Sequence, residues 1–198
     1  LISSFSKKFR NCQIGIGAQN CHESKDYGAH TGFVNSRMLK NIGAHFVIIG
    51  HSENRKMGES DKLINLKIKS ALEAKLKVIF CIGESLSEKR KKKTKSILSK
   101  QIKYGLKNIK DKSNIFLAYE PVWAIGSGII PKSKDLFNTV EFIKSKFKDK
   151  SPKVLYGGSV NPKNITNLKE INNIDGYLIG GASQNVKKFI DIVKKTYS

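Results

Sequence analysis

The sequence contains few arginines, prolines and cysteines, and it has no long apolar run. Only four of its 37 basic residues are arginine, whereas specific readers of nucleic-acid bases favour the forked guanidinium group. The longest apolar run, residues 46–49, is far too short to cross a membrane. The three cysteines, Cys12, Cys21 and Cys81, are odd in number and lack C-x-x-C spacing. We therefore expect reduced thiols in a cytoplasmic protein, with neither a disulfide framework nor a metal site.

The length and composition indicate a single globular domain over residues 1–198. A net charge of +21 would suit a nucleic acid or an anionic surface as partner. The lysines are, however, spread through every predicted helix, as in the run from Lys89 to Lys95, so we interpret them as solvated helix faces and expect no functional nucleic-acid binding. The chain opens on Leu1 rather than Met, and we expect that a segment before it is missing.

The stretch from Ala118 to Gly128 organises the rest of the chain. A short apolar strand ends on the carboxylate of Glu120, and Pro121 restricts that residue to extended backbone. Val122 and Trp123 are bulky enough to anchor a hinge, and a glycine-bearing tip follows them. The pattern predicts a hinged lid attached to a general base. On these residues alone, an ordinary strand-to-helix loop with an accidental glutamate fits equally well.

Strands and helices alternate along the whole chain. The predicted strands cover residues 13–19, 45–49, 77–82, 115–120, 153–156 and 176–179. Helices are predicted at residues 1–9, around 38–42, around 64–72, from the capping box of Ser85 and Glu88 to about Leu106, from Leu136 to Phe147, from Asn161–Pro162 onward, and around 186–193. This alternation indicates a parallel α/β sheet, either an open sheet or a barrel. A polar loop, Asn20 to Asn35, is too long for a mere connector and is expected to bind something.

The residues that could take part in catalysis or binding lie just after the predicted strands, where such folds place their ligands. His51 lies between a strand end and a helix start, where a neutral imidazole is favoured and can polarise a carbonyl group. Backbone N–H groups near helix starts can cradle a phosphate, and the candidates are Gly126, Ser159, Gly180 and Gly181. These groups suit proton transfer next to a carbonyl on a small phosphorylated substrate.

The chain also resembles the triosephosphate isomerase family at the motifs GAQNCH, IIGHSE, CIGE, AYEPVWAIGSG, YGGSV and GYLIGGAS, in family order and spacing. The resemblance implies a (β/α)8 TIM barrel that lacks its first strand, first helix and second strand, so that six parallel strands are present. It implies the interconversion of dihydroxyacetone phosphate and D-glyceraldehyde 3-phosphate through an enediolate, a step of glycolysis and gluconeogenesis, without a cofactor. It also implies a homodimer formed through the loop of residues 20–35.

The same resemblance assigns roles to individual residues. Glu120 is the base, His51 the electrophile and Glu53 a supporting carboxylate. The phosphate ligands are Gly126, Ser159, Gly180 and Gly181, and the lid and its clamp comprise Pro121, Val122, Trp123, Ile125 and Leu178. The clamp is expected to shield Glu120 from water and to raise the pKa of its carboxyl. Cys81 and Glu84 resemble structural residues beside the site.

Three departures from the family pattern stand out. The strand that carries an asparagine and an active-site lysine in the family is missing, so we expect the 198 residues alone to be inactive. Pro131 stands at the far hinge of the lid and has no N–H to donate to Tyr156. Phe33 and Asn54 replace a glutamate and an arginine that tend to pair, which predicts a less charged dimer interface.

Two other functions stay open on the sequence. One is a different phosphate-binding barrel isomerase or lyase, against which the Glu-Pro-Val-Trp lid argues. The other is a non-catalytic basic fragment that binds anions, and only the net charge of +21 favours it.

Overall fold

The computed structural model describes residues 1–148 and 151–197. The described strands are β1 (Gly17–Ala18), β2 (Phe46–Ile49), β3 (Lys77–Ile82), β4 (Ile115–Tyr119), β5 (Lys153–Tyr156) and β6 (Gly176–Tyr177). The described helices are α1 (Ile2–Lys8), α2 (Ser36–Asn41), α3 (Ser52–Lys56), α4 (Asp61–Glu73), α5 (Leu86–Arg90), α6 (Thr94–Gly105), α7 (Ser133–Lys144), α8 (Ile165–Lys169) and α9 (Val186–Tyr197). Single 3₁₀ turns lie at Val122–Ala124 and Gly181–Gln184.

The six strands run parallel in one sheet, in the order β1-β2-β3-β4-β5-β6. The predicted α/β class with six parallel strands is therefore confirmed. The chain divides into two compact units: Leu1–Cys81 with Gln101–Phe116, and Ile82–Lys100 with Leu117–Ser198. The expectation of a single domain over residues 1–198 stays a prediction.

In the first unit, α4 packs its apolar face into the core. Ile64, Ile68 and Ala71 recur at helical spacing and are fully buried, as the predicted pattern requires. The buried Asn65 on the same helix donates from its side-chain amide to the carbonyl oxygens of Gly105 at 2.8 Å and Lys107 at 3.0 Å. These bonds fix the end of α6 to α4.

In the second unit, the predicted face of α7 is confirmed for Leu136, Val140 and Ile143, all of which are buried. Phe147 lies beyond the end of that helix. The stripe on α9 points outward instead: Val186, Phe189, Ile190, Val193 and Tyr197 are exposed, and Ile192 is the buried residue of this helix.

The predicted helix from Ser85 to Leu106 is wrong in its continuity. The capping box of Ser85 and Glu88 is present, but α5 ends at Arg90 and α6 starts at Thr94. Lys92 between them has a φ of +56°, a left-handed conformation that ends a helix. The N–H of Lys92 donates to the carbonyl of Lys89 at 2.8 Å, which closes the last turn.

Three other boundaries differ from the sequence-based predictions. The strand predicted over residues 13–19 is reduced to Gly17–Ala18, and the one predicted over residues 176–179 to Gly176–Tyr177. The helix predicted from Asn161 begins at Ile165. The Asn161 side chain accepts from the backbone N–H groups of Lys163 at 2.9 Å and Asn164 at 3.2 Å, so it closes a turn before the helix.

Candidate active site

Glu120 directly follows β4 and is only 2% exposed. Its backbone N–H donates to the carbonyl of Ile82 at 2.8 Å, which extends the ladder to the end of β3. Its side chain lies against the backbone of Gly157, where an added Cβ would stand 2.8 Å from the Glu120 Cγ. An added Cβ at Gly83 would stand 1.7 Å from the Glu120 carbonyl oxygen. Two glycines on neighbouring loops therefore make the space that this residue fills.

The ends of three neighbouring strands are joined by single hydrogen bonds beyond the regular ladder. Gly157 N–H donates to the Tyr119 carbonyl at 2.9 Å, and Leu178 N–H donates to the Tyr156 carbonyl at 2.9 Å. Glu120, the loop that contains Ser159 and the loop that contains Gly180 and Gly181 thus follow adjacent strands at their carboxyl ends. This is the edge at which parallel α/β proteins bind ligands.

The predicted phosphate-binding residues are accessible. Ser159 is half-buried, and its carbonyl accepts from the Asn164 side-chain amide at 2.9 Å. Gly180 and Gly181 are exposed, and among the described residues a Cβ at either would meet nothing within 4 Å. The Gly180 carbonyl accepts from the Ser183 hydroxyl at 2.6 Å, which holds the turn after β6.

The start of the lid is buried, and its tip is exposed to solvent. Pro121 is buried, whereas Val122, Trp123 and Ile125 are half-buried. Gly126 and Gly128 are exposed with φ of +68° and +76°, a backbone region that favours glycine. Pro131, at the far end, is buried.

Glu84 anchors the start of the lid from the loop after β3, and the sequence-based prediction gave it only a structural place. It is 1% exposed, and its Oε1 accepts from the Trp123 indole N–H at 3.0 Å. Both of its oxygens also lie within reach of the Tyr119 hydroxyl, at 3.3 and 3.2 Å. Burial raises the pKa of the Glu84 carboxyl, while the bonds from Trp123 and Tyr119 and the charge of Lys89 oppose that rise.

In the first unit, His51 is the N-cap of α3. Its Nδ1 accepts from the Glu53 backbone N–H at 3.3 Å, so a neutral ring carries its proton on Nε2. A neutral imidazole that carries its proton on Nε2 can donate a hydrogen bond to a carbonyl. The Glu53 carboxylate is 80% exposed and lies 3.8 Å from the same Nδ1.

Arg55 was missed by the sequence-based prediction, although it fixes the turn that leads to His51. Its guanidinium donates to the carbonyls of Gly50 at 2.8 Å and Cys81 at 3.2 Å and to Asp61 at 2.7 Å. Gly50 has a φ of +76°, and an added Cβ there would stand 3.2 Å from the Arg55 guanidinium, so glycine leaves room for this arginine beside the turn. Its spacing of four residues from the histidine, in the first turn after a strand, is the signal that could have found it.

A buried polar group lies at the base of the loop of residues 20–35. The Lys67 ammonium is bonded to Glu59 and lies 3.1 Å from the Asn20 side-chain oxygen, and the Asn20 amide donates to Glu59 at 2.9 Å. Lys67 interrupts the apolar face of α4 between Ile64 and Ile68, which is the sequence signal for a buried lysine. The loop itself carries a ring cluster in which Phe33, 63% exposed, contacts His22 at 4.8 Å between ring centroids.

The cysteines are the remaining feature that the sequence analysis singled out. None of the three cysteines forms a disulfide bond: Cys12 is exposed, and Cys21 and Cys81 are buried. Burial raises the pKa of the Cys21 thiol to about 12. In residues 1–148 and 151–197, no three His, Cys, Asp or Glu side chains are grouped so that they could hold a metal ion. Over the same residues, no helix is both long and apolar enough to cross a membrane.

A parallel sheet with helices between its strands, and with a buried carboxylate and glycine-rich loops at the strand ends, is the arrangement of barrel enzymes of the (β/α)8 class. The sequence profile of the triosephosphate isomerase family matches residues 1–196. The chain belongs to this family, and as a member of it is an isomerase.

Individual relatives agree with this assignment. The triosephosphate isomerase of Thermodesulfovibrio yellowstonii is 43% identical over 201 residues, which cover 98% of this chain and 81% of the relative. That of Mycoplasmopsis pulmonis is also 43% identical, over 97% of this chain and 77% of the relative. The crystal structure of the Bartonella henselae enzyme is similar with a TM-score of 0.91 at 36% identity, over all of this chain and 84% of that one.

Proposed function

We propose that this protein interconverts dihydroxyacetone phosphate and D-glyceraldehyde 3-phosphate by moving a proton between neighbouring carbons through an enediolate. The observation that carries the proposal is the Glu120 carboxylate, which is 2% exposed and held at the end of β4 in a chain of this family. A carboxylate shielded from water is a stronger base than a solvated one, because its charge has lost hydration.

Each remaining residue has a role in this reaction. Glu120 takes the proton from the carbon next to the carbonyl, and His51 donates a hydrogen bond from Nε2 to the oxygen on which charge develops. Backbone N–H groups of Gly126, Ser159, Gly180 and Gly181 bind the phosphate. Pro121, Val122, Trp123, Ile125 and Leu178 close over the reacting carbons and exclude water. Glu53 is the supporting carboxylate, and its backbone N–H also donates to the His51 Nδ1.

The exposed position of the glycines supports their assignment to phosphate binding rather than to proton transfer. Both Gly180 and Gly181 are exposed, and a Cβ at either would meet no described atom within 4 Å, so the space beside them can admit an anion. Glu120 by contrast is enclosed, so the charged base and the charged phosphate are held in different surroundings.

Several finer statements stay predictions. They are a cytoplasmic location, a place in glycolysis and gluconeogenesis, a homodimer formed through the loop of residues 20–35, and an altered interface at Phe33 and Asn54. The expectation that the 198 residues alone are inactive also stays a prediction, and rapid turnover by the purified chain would contradict it.

A coupled assay with D-glyceraldehyde 3-phosphate tests the proposed function, and it is run on the completed chain, that is, this chain joined at its start to the strand–helix–strand segment that the family carries there. Glu120→Gln should lower kcat by about a thousandfold and His51→Gln by about a hundredfold, within the range of acid–base catalysis. Glu170→Gln, at an exposed glutamate in the turn that ends α8, is the matched control and should leave kcat unchanged. The proposal fails if Glu120→Gln retains the activity of this control.

A further inference from the structure

The indole ring of Trp123, at the start of the lid, is held along its edge. Its N–H donates to Glu84 at 3.0 Å, and the backbone N–H of the preceding Val122 donates to the Glu84 carbonyl at 3.0 Å. Tyr119, the last residue of β4, holds the same carboxylate with its hydroxyl. The edge of the ring is therefore fixed to a buried carboxylate that is itself fixed to a strand.

The face of the same ring is covered by a cation. The Lys89 ammonium lies 3.3 Å from the ring centroid, which is close contact for a cation over an indole face. Lys89 belongs to α5, whose start is fixed by the capping box of Ser85 and Glu88. We call Glu84, Lys89, Tyr119 and Trp123 the hinge cluster.

The tip of the lid makes few contacts of its own. A Cβ at Gly126 or Gly128 would meet nothing within 4 Å among the described residues, and both glycines are exposed. The Ser127 hydroxyl donates to the Ala124 carbonyl at 3.1 Å and accepts from the Ile129 N–H at 3.1 Å. Both of these hydrogen bonds join residues within the lid. The position of the tip thus depends on the anchors at its two ends, and at the first end this anchor is the hinge cluster.

We propose that Lys89 is a positioning residue of the lid: its ammonium clamps the face of Trp123 while Glu84 holds the edge, and the two together fix the hinge from which the lid moves. The contribution of Lys89 to turnover rests on the proposed function; its contribution to the hinge does not. Lys89 also places a positive charge beside the buried Glu84 carboxylate, so one side chain stabilises both members of the indole–carboxylate bond.

The chain offers a direct reporter, because Trp123 is its one tryptophan. Lys89→Met keeps the apolar stem and removes the charge, whereas Lys89→Arg keeps a cation over the ring. Lys91→Met, at an exposed lysine that follows α5, is the matched control. Indole emission, its quenching by acrylamide, and amide hydrogen exchange are measured on each purified chain without ligand.

Lys89→Met should populate the detached hinge about fivefold more, as loss of an ordinary cation–π contact predicts. Acrylamide quenching should then rise, and exchange should accelerate in residues 122–128 but not in α7. Lys89→Arg and Lys91→Met should match the unmodified chain. If Lys89→Met does not fold, Lys89→Gln takes its place. Quenching and exchange equal to those of Lys91→Met would overturn the proposal, and so would faster exchange in α7 to the same degree.

The isomerase assay separates this proposal from the proposed function. With turnover present, Lys89→Met should lower kcat by about fivefold, and Lys89→Arg should restore it. A loosened hinge in a completed chain that never shows isomerase activity would count against the proposed function alone. Normal hinge fluorescence and exchange in an active Lys89→Met enzyme would count against the clamp alone.

Discussion

At the scale of single residues, Glu120 fits its site because two neighbouring residues are glycines without a side chain. Gly157 and Gly83 have no Cβ, and a Cβ at either would overlap the side chain or the backbone of Glu120. Gly83 in the motif CIGE therefore positions the backbone of Glu120, and the first glycine of YGGSV, Gly157, positions its side chain. The second glycine of YGGSV, Gly158, makes room for the Tyr156 hydroxyl, which an added Cβ would approach to 2.2 Å.

Gly157→Ala should lower kcat by about 10- to 100-fold, because its methyl group displaces Glu120 by a fraction of an ångström or more. The coupled isomerase assay measures this loss. Gly176→Ala is the control, since its added Cβ meets only the flexible end of Leu155, at 3.1 Å. An unchanged kcat in Gly157→Ala would show that the observed position of Glu120 is not the one used in the reaction.

Loss of the hydroxyl group from two buried tyrosines should change the free energy of unfolding in opposite directions. The Tyr156 hydroxyl is buried without a hydrogen-bond partner among the described residues, and Pro131 has no N–H to offer it. The Tyr119 hydroxyl donates to the Glu84 carboxylate. Tyr156→Phe should therefore raise the free energy of unfolding by about 1 kcal/mol, and Tyr119→Phe should lower it by about 2 kcal/mol. Urea unfolding of both variants checks this, and a shift of the same sign in both would contradict it.

At the scale of secondary-structure elements, the break between α5 and α6 is the clearest feature that the sequence pattern did not predict. The capping box of Ser85 and Glu88 could be recognised because it lies within four consecutive residues. The left-handed backbone of Lys92 could not, because lysine gives no local signal for a positive φ. Burial of α6 residues such as Leu98 and Ile102 sets the direction in which the second helix must start.

Lys92→Gly should raise the free energy of unfolding by about 1 kcal/mol, since glycine adopts the left-handed conformation without strain. Lys91→Gly is the control, because Lys91 has a φ of −81° and gains nothing from glycine. Thermal or urea unfolding of the two variants measures the difference. Equal destabilisation by both changes would show that the backbone at Lys92 is not strained.

At the scale of the whole molecule, the alternation of strands and helices could be predicted because each element carries its own apolar periodicity. The lengths of β1 and β6 could not, because a strand ends where its partner stops offering hydrogen bonds. The strand-end positions of Glu120 and His51 were predictable from local motifs. The contacts that hold them, Gly157 on Glu120 and Arg55 on the turn before His51, join residues distant in sequence or require a known backbone direction.

The central claim is that Glu120 moves a proton on a phosphorylated triose, and solvent exchange tests it most directly. Dihydroxyacetone phosphate is incubated in D₂O with the completed chain, which carries the added N-terminal segment, and deuterium on the carbon next to the carbonyl is followed by NMR. We expect exchange catalysed by the completed chain without substitution and with Glu170→Gln, and a rate about a thousandfold lower with Glu120→Gln. Exchange that proceeds equally fast without the Glu120 carboxylate would contradict the account.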